Sequence, residues 1–515
     1  MPSFKEVFMK VSSAGLTRSG VKADLFVAGY FKGEKDLKVL RRIDPAFAKA
    51  AKAAIAKKRF EGKTGEIFSS YQAGYRQAPE MLLLGLGEKK ELKPFSLRKS
   101  VGTLIGLANG RKAVKIRVLL DSFLTDAVPA EEAAKIFTEI SFLASYRFTQ
   151  YKMKKKDDPP KAPESVELVT EKKEFVSGLR PAMARSEKIA KAVLLARDLN
   201  NEPGNVMNPP RLADEARKLA AEKKLTCKIL GLAELKKMGM NGILAVNRGS
   251  VMPPVLIIME YGKEYQDRGT VCLVGKGVTF DTGGISIKPS KGMEEMKYDK
   301  SGAIAVIATM GLMADLKLPL HIVGLAPSVE NNVAADPQRP GDIIRMYNGK
   351  TVEVINTDAE GRLILADALS YCAEFKPAAI IDAATLTGMC HHTFGDKTCG
   401  ILGTDQKLID TIQRAGEKVG ERCWQLPLWE EYGECIKSHH SDLKNTGDGY
   451  AGTITATMFL KEFVPEKTPW VHLDIAGMAS CSSNRFDCPK GANGFGVRLL
   501  AEVLSNWNSA SISKK

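Results

Sequence analysis

Val354-Ile355-Asn356-Thr357-Asp358-Ala359-Glu360-Gly361-Arg362-Leu363 sets two acids and an arginine between two apolar runs. Val352, Val354 and Ile355 have the pattern of a buried strand end. Leu363, Ile364, Leu365, Ala366, Ala368 and Leu369 have that of a helix. Asp358, Glu360 and Arg362 are therefore expected at a strand-to-helix junction, at or near the carboxyl edge of a sheet, where open α/β sheets carry their chemistry. Acids at a helix start also serve as caps and dipole partners. Taken alone, the stretch leaves both readings open.

The surrounding chain narrows the choice. Its 515 residues exceed one ordinary core, so two domains are expected. A hydrophobic content of 44% with 26% charged residues is that of a soluble globular protein. The start, Met1-Pro2-Ser3-Phe4-Lys5-Glu6-Val7, lacks the apolar core of a signal peptide. No apolar run approaches the roughly 18 residues of a membrane span, so no membrane partner is expected. The nine cysteines form no CxxC pair and are odd in number, which suits reduced thiols and a cytoplasmic location. Residues 1–200 hold 39 Lys and Arg against 23 Asp and Glu, whereas residues 201–515 hold 36 against 37. The basic excess of the first part fits either a solvated lysine-rich surface or an anionic partner such as nucleic acid.

The alternation of short apolar runs with helical periodicity predicts an α/β protein. A smaller N-terminal α/β domain is expected over residues 1–175, with a basic linker near 151–161. A larger domain over 176–515 should hold a mostly parallel central sheet flanked by helices, entered by a connecting helix near 181–200. Strands are expected at 23–30, 80–87, 115–120 and 165–170, then at 271–275, 321–326, 352–356, 378–383 and 470–475. Helices are expected at 45–58, 96–109, 301–316, 361–374, 405–419 and 497–504.

A second acid-bearing segment lies upstream: Val274-Gly275-Lys276-Gly277-Val278-Thr279-Phe280-Asp281-Thr282-Gly283-Gly284, continuing through Lys288-Pro289 to Met296-Lys297-Tyr298-Asp299. Its glycines allow a tight backbone path after a buried strand. It is not a phosphate loop, because G-x-x-x-x-G-K-[ST] is missing and the segment is acidic. Together the two segments supply four carboxylates (Asp281, Asp299, Asp358, Glu360) and three cations (Lys276, Lys288, Arg362). Four converging carboxylates would repel one another and raise each other's pKa values. Two divalent cations would cancel that charge, and oxygen-rich sites suit Mg, Mn and Zn. No histidine lies in either segment, which excludes a histidine-based zinc site there.

Both segments, in order and spacing, resemble the leucine (cytosol) aminopeptidase family of two-metal exopeptidases. Further matching stretches are Arg197-Asp198-Leu199, Ala384-Thr385-Leu386-Thr387-Gly388, His472-Leu473-Asp474-Ile475-Ala476-Gly477 and Gly491-Ala492-Asn493-Gly494-Phe495-Gly496. The likeness spans roughly residues 190–505. It implies a leucyl aminopeptidase acting on peptides with a free N-terminus, leucine and other apolar residues favoured. It implies two divalent ions per subunit, Mn or Zn, with Mg and Co as further candidates. One would be held by Asp281, Asp358 and Glu360, the other by Lys276, Asp281, Asp299 and Glu360. Lys288 would stabilise the gem-diolate oxygen, and Arg362 would hold a bicarbonate acting as general base. Family members form homohexamers, and some bacterial ones bind DNA, a role the basic N-terminal domain would serve here. The chain departs from the usual family pattern at Lys300, where methionine is common, and at the pairs His391-His392 and His439-His440.

Overall fold

The computed structural model describes residues 9–17, 23–34, 37–72, 74–75, 77–153 and 163–507. Most of the expected linker near 151–161, and the first seven residues read for a signal, lie outside the described residues. The chain divides into two compact units, Met1–Lys191 with Ser483–Lys490, and Ala192–Ser482 with Gly491–Lys515.

The first unit is built on a six-stranded sheet in the order Lys10–Gly15, Ser165–Thr170, Lys115–Leu119, Leu25–Tyr30, Glu80–Gly85, Ile67–Tyr71. Its pairs are parallel except the last, which is antiparallel. Leu25–Tyr30, apolar on both faces, is buried throughout, as a central strand covered on both sides must be. Helix Pro45–Ala56 begins with proline in its first turn and is capped by Asp44, whose carboxylate accepts the Phe47 N–H at 2.9 Å. Helix Ala130–Ser145, which the sequence reading did not foresee, buries Ile136, Phe137, Ile140 and Leu143.

The second unit carries the larger sheet. Its order is Cys423–Gln425, Cys399–Gly403, Trp470–Asp474, Pro377–Ala384, Thr270–Gly275, His321–Asn331, Val255–Tyr261, Thr226–Leu230, with Gly277–Asp281 also paired to His321–Asn331. The strands around Thr270–Gly275 run parallel, and antiparallel pairs lie toward the two edges. Thr270–Gly275 and His321–Asn331 are buried at every residue. Helix Ser301–Leu316, almost wholly apolar, covers them. Glycine makes that seat: a methyl group at Gly302 would lie 2.0 Å from the Ala383 carbonyl oxygen, and one at Gly275 would lie 2.3 Å from that of Gly302. The helix backbone therefore touches the strand ends directly, which brings Asp299 and Lys300 to the carboxyl edge of the sheet.

One expectation needs correction. The strand expected at 352–356 is only Thr351–Glu353, and it belongs to a separate three-stranded sheet with Ile343–Arg345 and Leu443–Lys444. It stops early because the Asn445 side chain takes the backbone N–H groups of Ile355 and Asn356, and Ile355 is exposed. A strand not among those expected, Gly277–Asp281, follows residue 275, and the tight path allowed by the glycines comes after it, at Gly283 and Gly284. None of the nine cysteines is in a disulfide, and among the described residues no helix is long and apolar enough to cross a membrane.

Candidate metal centre

Six of the seven polar residues singled out in the sequence meet at the carboxyl ends of the central strands. The seventh, Arg362, is buried close enough to Glu360 to feel its charge. Lys276 sits between strands Thr270–Gly275 and Gly277–Asp281, and Asp281 ends the second. Gly283 and Gly284, at φ +87° and +65°, then turn the chain, and Lys288 N–H closes the loop on the Thr282 carbonyl at 2.9 Å. Asp299 follows the short helical turn Met293–Tyr298, and Glu360 opens helix Glu360–Tyr371.

Each lysine spans two acids. Lys276 Nζ lies 2.9 Å from Asp299 Oδ1 and 2.8 Å from Glu360 Oε1, and donates to the Thr385 carbonyl at 2.9 Å. Lys288 Nζ lies 2.8 Å from Asp281 Oδ2 and also contacts Asp358 Oδ1. Lys276, Asp281, Asp299, Glu360 and Arg362 are buried, while Lys288 and Asp358 reach the mouth of the site with side chains 20% and 31% exposed.

Burial works against a charged Lys276, but the carboxylates of Asp299, Glu360 and Asp281 more than offset it and raise its pKa. Lys288 is held protonated in the same way, by Asp281, Glu360 and Asp358 acting against burial. Burial pushes the Asp299 carboxyl up to about 8, against the pull of Lys276, and raises Asp358 as well. Burial brings Arg362 down to about 10, which leaves it cationic at neutral pH.

Ligand-atom geometry favours a cation. Carboxylate oxygens of Asp281, Asp358 and Glu360 lie within 4.8 Å of one another, the one such group of acid, cysteine or histidine side chains among the described residues. Asp299 Oδ2 and Glu360 Oε2 are buried without a hydrogen-bond partner. Buried carboxylate oxygens left unpaired are costly unless something positive binds them, so this donor set fits hard divalent ions. Asp474 is spoken for elsewhere, accepting hydrogen bonds from Thr387 Oγ1 at 2.6 Å and the Ala476 N–H at 3.2 Å.

Three uncharged residues that the sequence reading gave no role support the cluster. Asn331 Nδ2 donates to Asp281 Oδ1 at 2.8 Å and to the Thr357 carbonyl at 3.0 Å. Thr385 Oγ1 donates to Asp299 Oδ1 at 2.6 Å. Asn445 lies against the 355–362 stretch. Thr385, directly after an apolar strand, carried a readable signal; the two asparagines carried none. His391 and His392 are exposed on helix Gly388–Phe394, and His439 and His440 are exposed too.

Residues 194–501 match the catalytic domain of the cytosol aminopeptidase family, and residues 27–155 match that family's N-terminal domain. A probable cytosol aminopeptidase from Syntrophotalea carbinolica is 42% identical over 489 residues, 94% of this chain and 97% of that protein. One from Chlorobium phaeobacteroides is 40% identical over 96% of this chain and 99% of that protein. Among solved structures, the bottromycin maturation enzyme BotP in complex with Mn is 32% identical with a TM-score of 0.82, covering 94% of this chain and 99% of that one. An α/β fold of two domains with a buried carboxylate–lysine cluster at the sheet edge thus defines a peptidase enzyme. The chain belongs to the cytosol aminopeptidase family.

Proposed function

We propose that this protein is a metal-dependent aminopeptidase that releases N-terminal residues, leucine and other apolar ones preferred, from peptides with a free α-amine. The observation that carries the reading is the convergence of Asp281, Asp358 and Glu360 beside two lysines, each spanning a pair of acids. Asp281, Asp358 and Glu360 would hold one divalent ion, and Lys276, Asp281, Asp299 and Glu360 the other. The Mn complex of the similar enzyme BotP supports Mn as a first choice, with Zn, Mg and Co as alternatives. When bound, such a pair polarises a carbonyl and lowers the pKa of water.

The chain's own residues supply the rest. Lys288, protonated and at the mouth, offers an ammonium to the oxyanion that develops on the scissile carbonyl. Arg362 stays cationic, and its Nε is buried without a partner, which suits a bound bicarbonate as proton acceptor. Asp299 and Glu360, joined through Lys276, keep the deeper side of the site closed to solvent. Family likeness further supports a homohexamer and a cytosolic setting, the first of which sedimentation would test.

The direct test is hydrolysis of leucyl-p-nitroanilide by chelated protein before and after Mn add-back, beside the N-acetylated substrate. Loss and recovery of activity on the free amine alone is the expected result. Full activity after chelation, or equal cleavage of the blocked substrate, would refute the proposal.

A further inference from the structure

Asn445 directs its backbone and side-chain hydrogen-bonding groups at one short stretch, residues 353–362. Its N–H donates to the Glu353 carbonyl at 3.0 Å. Its Oδ1 accepts the N–H groups of Ile355 at 2.8 Å and Asn356 at 3.3 Å. Its Nδ2 donates to the carbonyls of Asn356 at 2.7 Å and Ala359 at 3.4 Å. Its own carbonyl accepts from Arg362 Nη1 at 2.8 Å. The residue is fully buried.

The chemistry of this arrangement is specific to an amide. Alanine would take from the N–H groups of Ile355 and Asn356 their common acceptor, which lies on a buried residue. Aspartate, of the same size, would turn a carboxylate oxygen toward two carbonyl oxygens in place of a donor. Among the described residues the Asn445 carbonyl is the one hydrogen-bond acceptor of the Arg362 guanidinium, and Arg362 Nε is buried with no partner. Arg362 is buried and its charge is drawn by Glu360 and Asp474, so among the described residues this bond is the one directional contact on its guanidinium.

We propose that Asn445 is the positioning residue of this site. Its side chain fixes the backbone from Ile355 to Ala359, ahead of Glu360. By tying residue 445 to that stretch, it holds the main-chain carbonyl, which any substitution keeps, in the place that aims the Arg362 guanidinium. Its effect on turnover rests on the reading of Arg362 as holder of the proton acceptor; its effect on geometry does not. Asn445 touches neither substrate nor ion and acts through Arg362.

The test is a double-mutant cycle on the Mn-loaded enzyme, with kcat and KM on leucyl-p-nitroanilide for Asn445→Ala, Arg362→Ala and the pair, plus a crystal structure of the Asn445 variant. Asn445→Asp replaces Asn445→Ala throughout should the alanine variant fail to fold. Asn445→Ala is expected to lower kcat by about 10- to 100-fold, and to move the guanidinium by about 1 Å or more. KM should stay within about threefold, as for a group that acts in the transition state. In the Arg362→Ala background the Asn445 substitution should cost no more than about twofold further, because coupled residues are not additive. Additive losses, or a guanidinium left in place, would overturn the proposal. Should Arg362→Ala keep full kcat, the reading of Arg362 fails by itself, and the guanidinium position in the variant crystal still decides whether Asn445 aims it.

Discussion

The Lys276 side chain crosses Gly361 so closely that a methyl group on residue 361 would lie 2.5 Å from Lys276 Cε and 2.7 Å from Nζ. Gly361 stands in the first turn of helix Glu360–Tyr371, where glycine costs about 1 kcal/mol of helix propensity relative to alanine. What it provides is passage for the amine between Asp299 and Glu360. Gly361→Ala should therefore displace Nζ and lower kcat/KM by about 100-fold, the order expected for a misplacement of roughly 1 Å. Steady-state kinetics beside a thermal melt check it: a fold left standing with activity lost is the expected pattern. Unchanged kinetics would mean that the Lys276 amine need not lie where it does.

Proton release should accompany loading. The folded pKa of Lys276 is raised, so the amine carries its proton at neutral pH, whereas a ligating amine must be neutral. Mn binding should release a proton from Lys276 and, near neutral pH, part of one from Asp299, and affinity should rise with pH. Calorimetric titration in two buffers of different ionisation heat measures this. A binding heat independent of buffer at about pH 9, above the range in which Asp299 titrates, would remove Lys276 from the ligand set.

Lys288 lies at the mouth, between Asp281 and Asp358. Lys288→Ala should lower kcat by roughly 100- to 1000-fold, as for loss of an oxyanion donor, with KM nearly unchanged. A rise in KM alone would assign Lys288 to substrate binding instead.

Lys300 offers a test of stability against pH. It is fully buried, and its ammonium donates to the carbonyls of Asn200 at 3.3 Å and Glu202 at 3.0 Å, and also to that of Lys297. Burial, followed by the charge of Lys297, lowers its pKa to about 7. In the unfolded chain a lysine titrates near 10.4. Between those values the unfolded state binds more protons than the native one, so stability rises with pH across that window. Lys300→Met removes this dependence along with the three hydrogen bonds. The wild type's advantage in melting temperature over Lys300→Met should grow from pH 7 to pH 9.5. A gap that stays constant from pH 7 to pH 9.5 would show that Lys300 stays charged in its buried place.

What could be read in the sequence was whatever advertises itself locally. Asp358, Glu360 and Arg362 crowd one junction, and Lys276, Asp281, Lys288 and Asp299 crowd another, so charge density alone marked both. The central strands were legible because residues buried on both faces make unbroken apolar runs. Gly277–Asp281 was not, because glycine beside a strand reads as a turn when its partner, His321–Asn331, lies some fifty residues away. Thr351–Glu353 was overextended because Val354 is buried and its backbone still bonds to Gly341 and Asp342, while the residue that takes the next amides, Asn445, is about ninety positions downstream. Asn331 and Asn445 act through amide geometry, which has no local signature. A domain's acids can be found by their mutual repulsion; the neutral groups that hold them become visible only in three dimensions.

The backbone N–H of Ser286 donates to Thr357 Oγ1 at 2.8 Å, that of Thr357 donates to Ser286 Oγ at 3.1 Å, and Thr357 Oγ1 donates to the Gly283 carbonyl at 2.6 Å. Each acid-bearing loop thus locks the amide of the other. Neither can fluctuate open without exposing both, so the two amides should exchange with deuterium at a common rate, as members of one cooperative opening unit. Segments distant in sequence therefore breathe as a single element, and a substitution that loosens one loop will be felt as lost protection in the other.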